Sequence, residues 1–271
     1  MNSKTLLLSK WPTHTSNGCI SKGVYLNKNE DEVLVKGNIM GWYQPIAEVV
    51  SYKIAKLCGV ETVEYELEEA SKYPNIKVNN FKYVSVCKIL PYTIFSLYNY
   101  CNSQKDFKGL SSKDYLDFYI ERVDDYKCND LFKMLFVDAL VGNTDRHLNN
   151  INIFVNNDNK LKLATPFDFG ESLLIGKLNI NIKENIESKP FKNYHENQLK
   201  YINEICKPDK IILPFKNSSI FKEEIKKEIS DTLNLLEDDN RKNLILEFLN
   251  FRVDNIINEY VKYEENELNW S

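Results

Sequence analysis

The first third of the chain alternates short apolar runs with turn-forming residues. The runs "TLLL", "GVYL" and "EVLVKG" lie between residues 4 and 38, and "SNG" and the polar stretch 27–31 separate them. Short runs of strand-forming residues bounded by turn residues are typical of antiparallel sheets. The pattern therefore predicts a β meander at the start of a small β-rich lobe.

One helix and two more strands follow the meander. In "PIAEVVSYKIAKLCGV", which begins at Pro45, apolar residues recur at helical spacing, and Gly59 is a helix-stop residue. The runs "VETVEYEL", residues 60–67, and "FKYVSVCKIL", residues 81–90, are rich in strand-forming residues. We expect the helix to pack on the sheet.

From about residue 111 the spacing of apolar residues becomes mainly helical. A hairpin is the exception, because "INIFV" and "LKLAT" flank the polar turn "NNDNK". The whole pattern predicts an α+β fold of two lobes, a β-rich N-lobe over residues 1–90 and a larger helical C-lobe over residues 91–271. Clefts between lobes are common ligand sites. The predicted helices span residues 112–126, 130–141, 196–206, 219–237 and 240–262.

Composition and charge narrow the classes of function. The 271 residues are 43% hydrophobic, enough for a sizeable core, and the net charge of −4 comes from interleaved acidic and basic residues. We therefore expect no direct binding to nucleic acid. The longest apolar runs are shorter than the roughly 20 residues that cross a bilayer, so we expect no transmembrane segment and a cytoplasmic location.

The cysteines and histidines do not suggest a zinc site. No two cysteines form a CxxC pair, and the chain has only three histidines. We expect the cysteines to be reduced and to pack as small core residues. They are Cys19, Cys58, Cys87, Cys101, Cys128 and Cys206.

The predicted hairpin brings polar residues of two segments together. A turn at residues 156–159 places Asn150, before the first strand, close to Asp168, after the second. Amide and carboxylate oxygens with few other protein ligands suit Mg²⁺ that also binds substrate phosphates. Asp145 lies five residues before Asn150, where its carboxylate can receive a proton from an attacking hydroxyl. This is the layout of phosphoryl transfer, and "FDFG" at residues 167–170 contains the Asp-Phe-Gly triplet of kinases.

Two segments of the chain resemble those of a known family. "GNTDRHLNNINIF" followed by "TPFDFGESL" resembles the catalytic and metal-binding segments of the phosphoinositide-kinase-like superfamily, and within it those of the bacterial HipA-like and CtkA-like protein kinases. The resemblance implies a two-lobed protein-kinase-like fold with Asp145 as the catalytic residue. It also implies that Asn150 and Asp168 act in catalysis as ligands of Mg²⁺ or Mn²⁺.

The resemblance extends towards the N-terminus. "TSNGCISKGVYL" resembles a HipA-type phosphate loop, with Thr15 in the serine position, Gly18 as its glycine and Lys22 as its lysine. "VLVKG" resembles the strand whose lysine contacts ATP phosphates, here Lys36, and Lys22 is the alternative phosphate ligand. "AEVVSYKIAKLCGV" resembles the helix that follows this strand in the family, and the resemblance implies that its early acidic residue, here Glu48, aligns the lysine.

The same resemblance implies an activity. The chain is expected to be an ATP-dependent serine/threonine protein kinase whose adenine contacts come from the backbone around Val86 and Lys88. Thr15 or Ser16 in the phosphate loop is the expected autophosphorylation site, and the added negative charge would oppose ATP binding. Resemblance alone implies a toxin or secreted-effector role, a protein substrate and an antitoxin partner.

Several of these side chains have a second interpretation. Asp145 suits a turn, Lys36 suits an exposed strand position, and a single glutamate such as Glu48 on an amphipathic helix is usually solvated. Arg146 is either a solvated charge or an anion ligand. His147 either fixes the loop or shuttles protons.

Two rival functions remain open. The spelling D-R-H-x-x-N is shared with lipid kinases, although such an enzyme needs a basic or apolar membrane-facing surface that the acidic balance does not suggest. A pseudokinase that binds nucleotide without catalysis is the second rival, and the intact set of catalytic and phosphate-binding residues argues against it.

Overall fold

The computed structural model describes residues 20–38, 43–104, 111–175 and 194–263, with the side chains of the last range from residue 198 onward. Its N-terminal part contains the strands β1 (Lys22–Leu26), β2 (Glu32–Lys36), β3 (Tyr65–Glu69) and β4 (Tyr83–Lys88). They form one antiparallel sheet in the order β1, β2, β4, β3.

The two faces of this sheet differ because successive side chains of a strand point to opposite sides. One face bears Lys36, the last residue of β2, and Leu34 two positions before it. The other face carries Val35 and Val86 in an apolar cluster that the segment 70–78 covers. Lys36 therefore lies on the face that is free to receive the next helix.

Helix α1 (Gln44–Leu57) lies between the sheet and the helical part of the chain. Pro45 stands in its first turn, where no intrahelical N–H is needed. Val49 packs against the sheet, whereas Ile46 and Val50 belong to the core of the helical part. One hydrophobic core thus extends across the predicted lobe boundary at residue 90, and the boundary itself stays a prediction.

The rest of the chain is mainly helical. Its elements are β5 (Phe95–Ser96), α2 (Leu97–Ser103), α3 (Ser112–Arg122), α4 (Asn129–Val141), β6 (Asn152–Val155), β7 (Leu161–Leu163), α5 (Tyr194–Cys206), β8 (Ile211–Leu213), α6 (Ser218–Leu233), α7 (Asp239–Tyr260) and β9 (Val261–Tyr263). Helix α4 is buried over most of its length, β5, β6 and β7 form a small antiparallel sheet, and β8 and β9 pair in parallel. Across the described ranges, no helix is both long and apolar enough to span a membrane.

The predicted helices and hairpin are confirmed within a few residues. Helix α3 ends at Arg122 because Val123 is extended and bridges to Leu161, whereas the prediction continued to residue 126. The elements β5, α2, β8 and β9 are absent from the prediction, since such short elements carry little periodic signal. The first predicted run, "TLLL", lies outside the described residues.

The turn that leaves α4 depends on a glycine. Gly142 ends the helix in left-handed backbone with φ of +65°, a conformation that favours glycine. A Cβ at this position would lie 2.5 Å from Cζ of Phe248 in α7. The start of the loop that carries Asp145 therefore leaves no room for a side chain.

We expect Gly142→Ala to lower the free energy of unfolding by about 3 kcal/mol, because left-handed strain and overlap with Phe248 add together. Gly59→Ala is the matched control, since Gly59 has φ of +64° but no described atom lies within 4 Å of an added Cβ. Strain alone should cost this variant about 1 kcal/mol. Urea unfolding measures both, and equal losses would contradict the overlap.

Candidate functional site

Three charged side chains from separate segments meet at one end of the four-stranded sheet. Lys36 places Nζ 2.7 Å from Oε1 of Glu48 in α1 and 2.9 Å from Oδ1 of Asp168. Lys36 and Glu48 are buried, whereas the Asp168 side chain stays 35% exposed. One carboxylate therefore anchors the lysine, and the other is still open to a ligand.

Burial and charge act in opposite directions on these three groups. Burial alone would lower the pKa of Lys36, but Asp168 and Glu48 raise it well above its usual value. Burial would raise the pKa of Asp168, but the charges of Lys36 and Arg146 lower it to about 2. Burial raises the pKa of Glu48, and the charge of Lys36 opposes that rise. At neutral pH Lys36 is therefore an ammonium group and Asp168 a carboxylate.

A second lysine lies beside the first. Lys22 in β1 is the direct antiparallel partner of Lys36, so both side chains project from the same face of the sheet. Partial desolvation lowers the pKa of Lys22, although the residue is exposed at the surface, and repulsion by Lys36 lowers it further. Like charges in opposite positions destabilise a strand pair. An anion bound next to both lysines would relieve this repulsion.

Arg146 connects the loop after α4 to the segment that precedes Asp168. It is completely buried, and its Nε and Nη2 donate to the two carboxylate oxygens of Asp138 at 2.8 and 3.2 Å. Its Nη1 donates to the carbonyl oxygens of Asn150 and Phe167 at 2.9 and 2.7 Å. A buried guanidinium has to be neutralised and hydrogen-bonded. Here the Arg146 guanidinium binds the chain at both ends of the hairpin, before β6 and after β7.

The loop between α4 and β6 holds Asp145 and Asn150 in contact. Asn150 Nδ2 donates to the carbonyl oxygen of Asp145 at 2.7 Å and to its Oδ2 at 3.3 Å. The Asp145 N–H donates to Oδ1 of Asn143 at 3.0 Å, and the Asn143 amide donates to Asp138 at 2.8 Å. His147 Nε2 lies 3.5 Å from Oδ1 of Asp145, which fits either interpretation of that histidine. The Asp145 side chain is 49% exposed and is therefore within reach of a substrate.

The backbone at Asp168 is strained and is held by neighbouring elements. Its φ of 68° is left-handed, which is uncommon for a residue other than glycine. The Asp168 N–H donates to the Tyr65 hydroxyl at 3.1 Å, and the Phe169 N–H donates to Oε2 of Glu48 at 2.7 Å. The Phe169 ring lies 5.0 Å from the Arg146 guanidinium. Such strain persists only where the surroundings fix it, and here β3, α1 and Arg146 do so.

The structure brings most of the predicted site residues together. Those that meet around Lys36 and along the hairpin are Lys22, Lys36, Glu48, Asp145, Asn150 and Asp168. Glu48 is buried and paired, so its interpretation as a solvated helix residue is wrong, and so is that of Lys36 as an exposed strand lysine. Thr15, Ser16 and Gly18 lie outside the described residues.

The structure does not bring Val86 to this site. Its side chain is buried in the apolar cluster on the other face of the sheet, and its backbone pairs with both β2 and β3. Lys88 is exposed at the end of β4, one residue beyond the last pair with β3 at Cys87. An adenine contact therefore suits the backbone from Lys88 onward and does not suit Val86.

Arg146 is neither a solvated charge nor an anion ligand, because its donors are taken up by a carboxylate and two carbonyl groups of the chain. Its partner Asp138 was not predicted as a site residue. A signal for it exists, since a carboxylate inside the apolar helix "LFKMLFVDALVG" must have a buried partner. Tyr65 carries no such signal, because tyrosine is common in strands.

Comparison with known proteins supports the architecture. The family described as HipA-like C-terminal domain matches residues 1–233. The crystal structure of the proinflammatory kinase CtkA of Helicobacter pylori is similar, with a TM-score of 0.56 and 18% identity over 91% of this chain and 93% of that chain. HipA of Shewanella oneidensis MR-1, solved as a toxin–antitoxin complex with HipB and operator DNA, is also similar. Its TM-score is 0.50, with 14% identity over 90% of this chain and 66% of that chain. No curated protein sequence matches significantly. The two-lobed kinase-like α+β fold is thereby confirmed.

We expect Asp138→Asn to lower the free energy of unfolding by about 3 to 5 kcal/mol, because it removes the charge that neutralises the buried Arg146. Asp124→Asn is the matched control, with the same chemical change in an exposed carboxylate that pairs with Lys160 and Lys162. It should change stability little, since surface ion pairs are screened by water. Denaturant unfolding measures both variants. A loss at Asp138 no larger than that at Asp124 would contradict the role of the buried pair.

Proposed function

The chain belongs to the HipA-like C-terminal domain family, and on that basis we propose that it is an ATP-dependent serine/threonine protein kinase of the HipA/CtkA-like type. The observation that carries the proposal is the contact of Lys36 with both Glu48 and Asp168. Protein kinases need a lysine–glutamate ion pair and the carboxylate of the Asp-Phe-Gly triplet in place together. Both requirements are met here in one cluster.

Lys36 is the proposed ligand of the ATP phosphates. Glu48 holds its Nζ from the α1 side, and the raised pKa keeps the group charged at neutral pH. Lys22, on the same face of the sheet, is the second cation for this role. Two neighbouring ammonium groups favour a polyanionic ligand, since its charge removes their mutual repulsion. The adenine contacts are proposed for the Lys88 backbone and the Ile89 carbonyl, because the Ile89 N–H already donates to the Glu32 carbonyl at 3.4 Å.

Asn150 and Asp168 are the residues that fit a divalent metal ion. The Asn150 amide nitrogen donates to Asp145, which leaves the amide oxygen as a ligand, and Asp168 is ionised and partly exposed. Hard oxygen donors of this kind suit Mg²⁺ or Mn²⁺, and Mg²⁺ usually takes few protein ligands together with substrate phosphates. When bound, the metal neutralises charge on those phosphates.

Asp145 is the proposed acceptor of the proton from the substrate hydroxyl. Its carboxylate is half exposed, and Asn150 and Asn143 fix its position. The hydroxyl oxygen forms its bond to the γ-phosphorus while the bond from that phosphorus to the bridging oxygen of ADP breaks, and the proton passes to Asp145. The chain thus supplies positioning and a base rather than a covalent intermediate.

Autophosphorylation at Thr15 or Ser16 is part of the proposal, although both lie outside the described residues. The resemblance of this segment to a HipA-type phosphate loop supports the proposal that the added negative charge opposes ATP binding. The similarity to HipA, which was solved with HipB in a toxin–antitoxin complex, supports a toxin role with an antitoxin partner as a further hypothesis.

We expect Asp145→Asn to abolish ³²P transfer from ATP to the chain itself and to proteins of a lysate. ATP binding should be unchanged, because Asp145 serves the acceptor hydroxyl and not the nucleotide. Asp158→Asn, the same change in the turn between β6 and β7, is the control and should keep wild-type transfer. Mass mapping of Thr15 and Ser16 after incubation with ATP identifies the acceptor.

The same assay, with phosphoinositide vesicles added as a third acceptor, has two other results that would overturn the proposal. Label found only in phosphoinositide vesicles would make the protein a lipid kinase, whose D-R-H-x-x-N spelling the chain shares. Binding of ATP without any transfer by the wild type, with Mg²⁺ or Mn²⁺, would make it a pseudokinase.

We expect Lys36→Met to lower the rate of ³²P transfer by at least roughly 100-fold and to weaken ATP binding, because a preorganised charge is lost at the phosphates. Lys28→Met, in the exposed turn between β1 and β2, removes the same charge away from Glu48 and Asp168 and should change neither quantity. Initial rates over a range of ATP concentrations measure both. Equal effects of the two substitutions would argue against a specific role for Lys36.

A further inference from the structure

Two cysteines that are far apart in the sequence lie together in the helical part. Sγ of Cys128 is 2.7 Å from Sγ of Cys206. A disulfide bond is about 2.05 Å long, so the two sulfur atoms are within a small movement of bonding distance. Cys128 ends the 3₁₀ turn Tyr126–Cys128 directly before α4, and Cys206 is the last residue of α5.

Contacts on both sides of Cys128 hold these two chain segments together. Lys127 Nζ pairs with Oδ1 of Asp209 at 3.0 Å. Asn129 Oδ1 accepts a hydrogen bond from the Asp209 backbone N–H at 2.9 Å, and Asn129 Nδ2 donates to Oδ2 of Asp209 at 3.3 Å. Both neighbours of Cys128 therefore contact a residue just after Cys206. The closeness of the sulfur atoms follows from the position of the two segments and not from one side-chain rotamer alone.

In both segments the backbone at or next to the cysteine has a positive φ. Lys127, Cys128 and Lys207 have φ values of 53°, 54° and 47°, in the left-handed region. Residues other than glycine stay in that region only where the surrounding structure determines it. The turns that present the two thiols to each other are therefore sharply defined.

We propose that Cys128 and Cys206 are a modification site, at which oxidation forms a reversible disulfide that joins the start of α4 to the end of α5. The half-buried Cys206 is the thiol that an oxidant reaches first, and the buried Cys128 is the thiol that resolves it. This role goes beyond that of small core residues. It does not depend on the proposed kinase activity.

Hydrogen peroxide is the oxidant in this proposal. The Cys206 sulfur attacks one peroxide oxygen, the O–O bond breaks, and a sulfenic acid and one water form. The Cys128 sulfur then attacks the Cys206 sulfur, the S–S bond forms, the S–O bond breaks, and a second water leaves. Two thiols lose two electrons and two protons, and peroxide is reduced to water. Burial raises the pKa of both thiols, which makes the reaction slow at neutral pH.

The test uses the full chain, reduced, freed of reductant and then treated with hydrogen peroxide. After alkylation in denaturant and digestion without reductant, mass mapping should find one linked peptide pair that contains Cys128 and Cys206. Because the bond closes a long loop of the unfolded chain, the oxidised protein should melt roughly 10 °C above the same sample after re-reduction.

Two variants separate this pair from the other cysteines. Cys206→Ser should lose both the linked peptides and the shift in melting temperature on oxidation. Cys101→Ala, which removes a buried cysteine outside the pair, should keep both. Full alkylation of Cys128 and Cys206 after peroxide treatment, or a disulfide to Cys19 instead, would overturn the proposal. Peptide mapping of the wild type gives this answer even if a variant does not fold.

Discussion

A guanidinium group that water cannot reach must find its hydrogen bonds and its counter-charge inside the protein. Arg146 finds them in three segments: the Asp138 carboxylate in α4, the Asn150 carbonyl before β6 and the Phe167 carbonyl after β7. One nitrogen reaches both carbonyls only when the ends of the hairpin lie side by side. The charge therefore fixes the distance between the segment that carries Asn150 and the segment that carries Asp168. Both segments are loops there, without helix or strand hydrogen bonds to fix their shape.

Helix α1 provides the corresponding constraint from the side of the sheet. Glu48 uses one carboxylate oxygen for Lys36 and the other for the Phe169 N–H, so it contacts the sheet and the Asp-Phe-Gly segment at once. A displacement of α1 would break both contacts together. The ion pair of Lys36 with Asp168 links the sheet directly to the same Asp-Phe-Gly segment. A nucleotide would have to share the lysine with the Asp168 carboxylate. The positions of the proposed phosphate-binding and metal-binding groups are thus coupled through one glutamate.

The sequence predicts those parts of the site in which residue type and spacing carry information by themselves. Asp145 and Asn150, with the hairpin and the Asp-Phe-Gly triplet that follow, belong to this class, as do the longer helices. The identity of the partner of a buried charge does not belong to it, because a contact between separate segments leaves no periodic signal. The apolar helix indicates that Asp138 has a buried partner, but not that the partner is Arg146. The face of the sheet on which Val86 lies is not predicted either, since it depends on strand register. A shift of one residue along the strand would have placed Val86 beside Lys36.

Helix α1 also prevents the four-stranded sheet from being separated from the helical part of the chain. One of its sides packs on the sheet, and the other, with Ile46, Val50 and Ile54, enters the same core as α4 and α6, to which Lys53 adds a hydrogen bond at the Glu228 carbonyl. If the chain were divided after residue 90, those apolar side chains would be exposed to water in the N-terminal piece. The helical piece would expose the apolar groove that they fill. Neither of the two predicted lobes can therefore be replaced by that of a relative without changes to the other. A sheet grafted from a relative onto this helical part would have to bring its own α1, together with an α6 surface shaped to receive it.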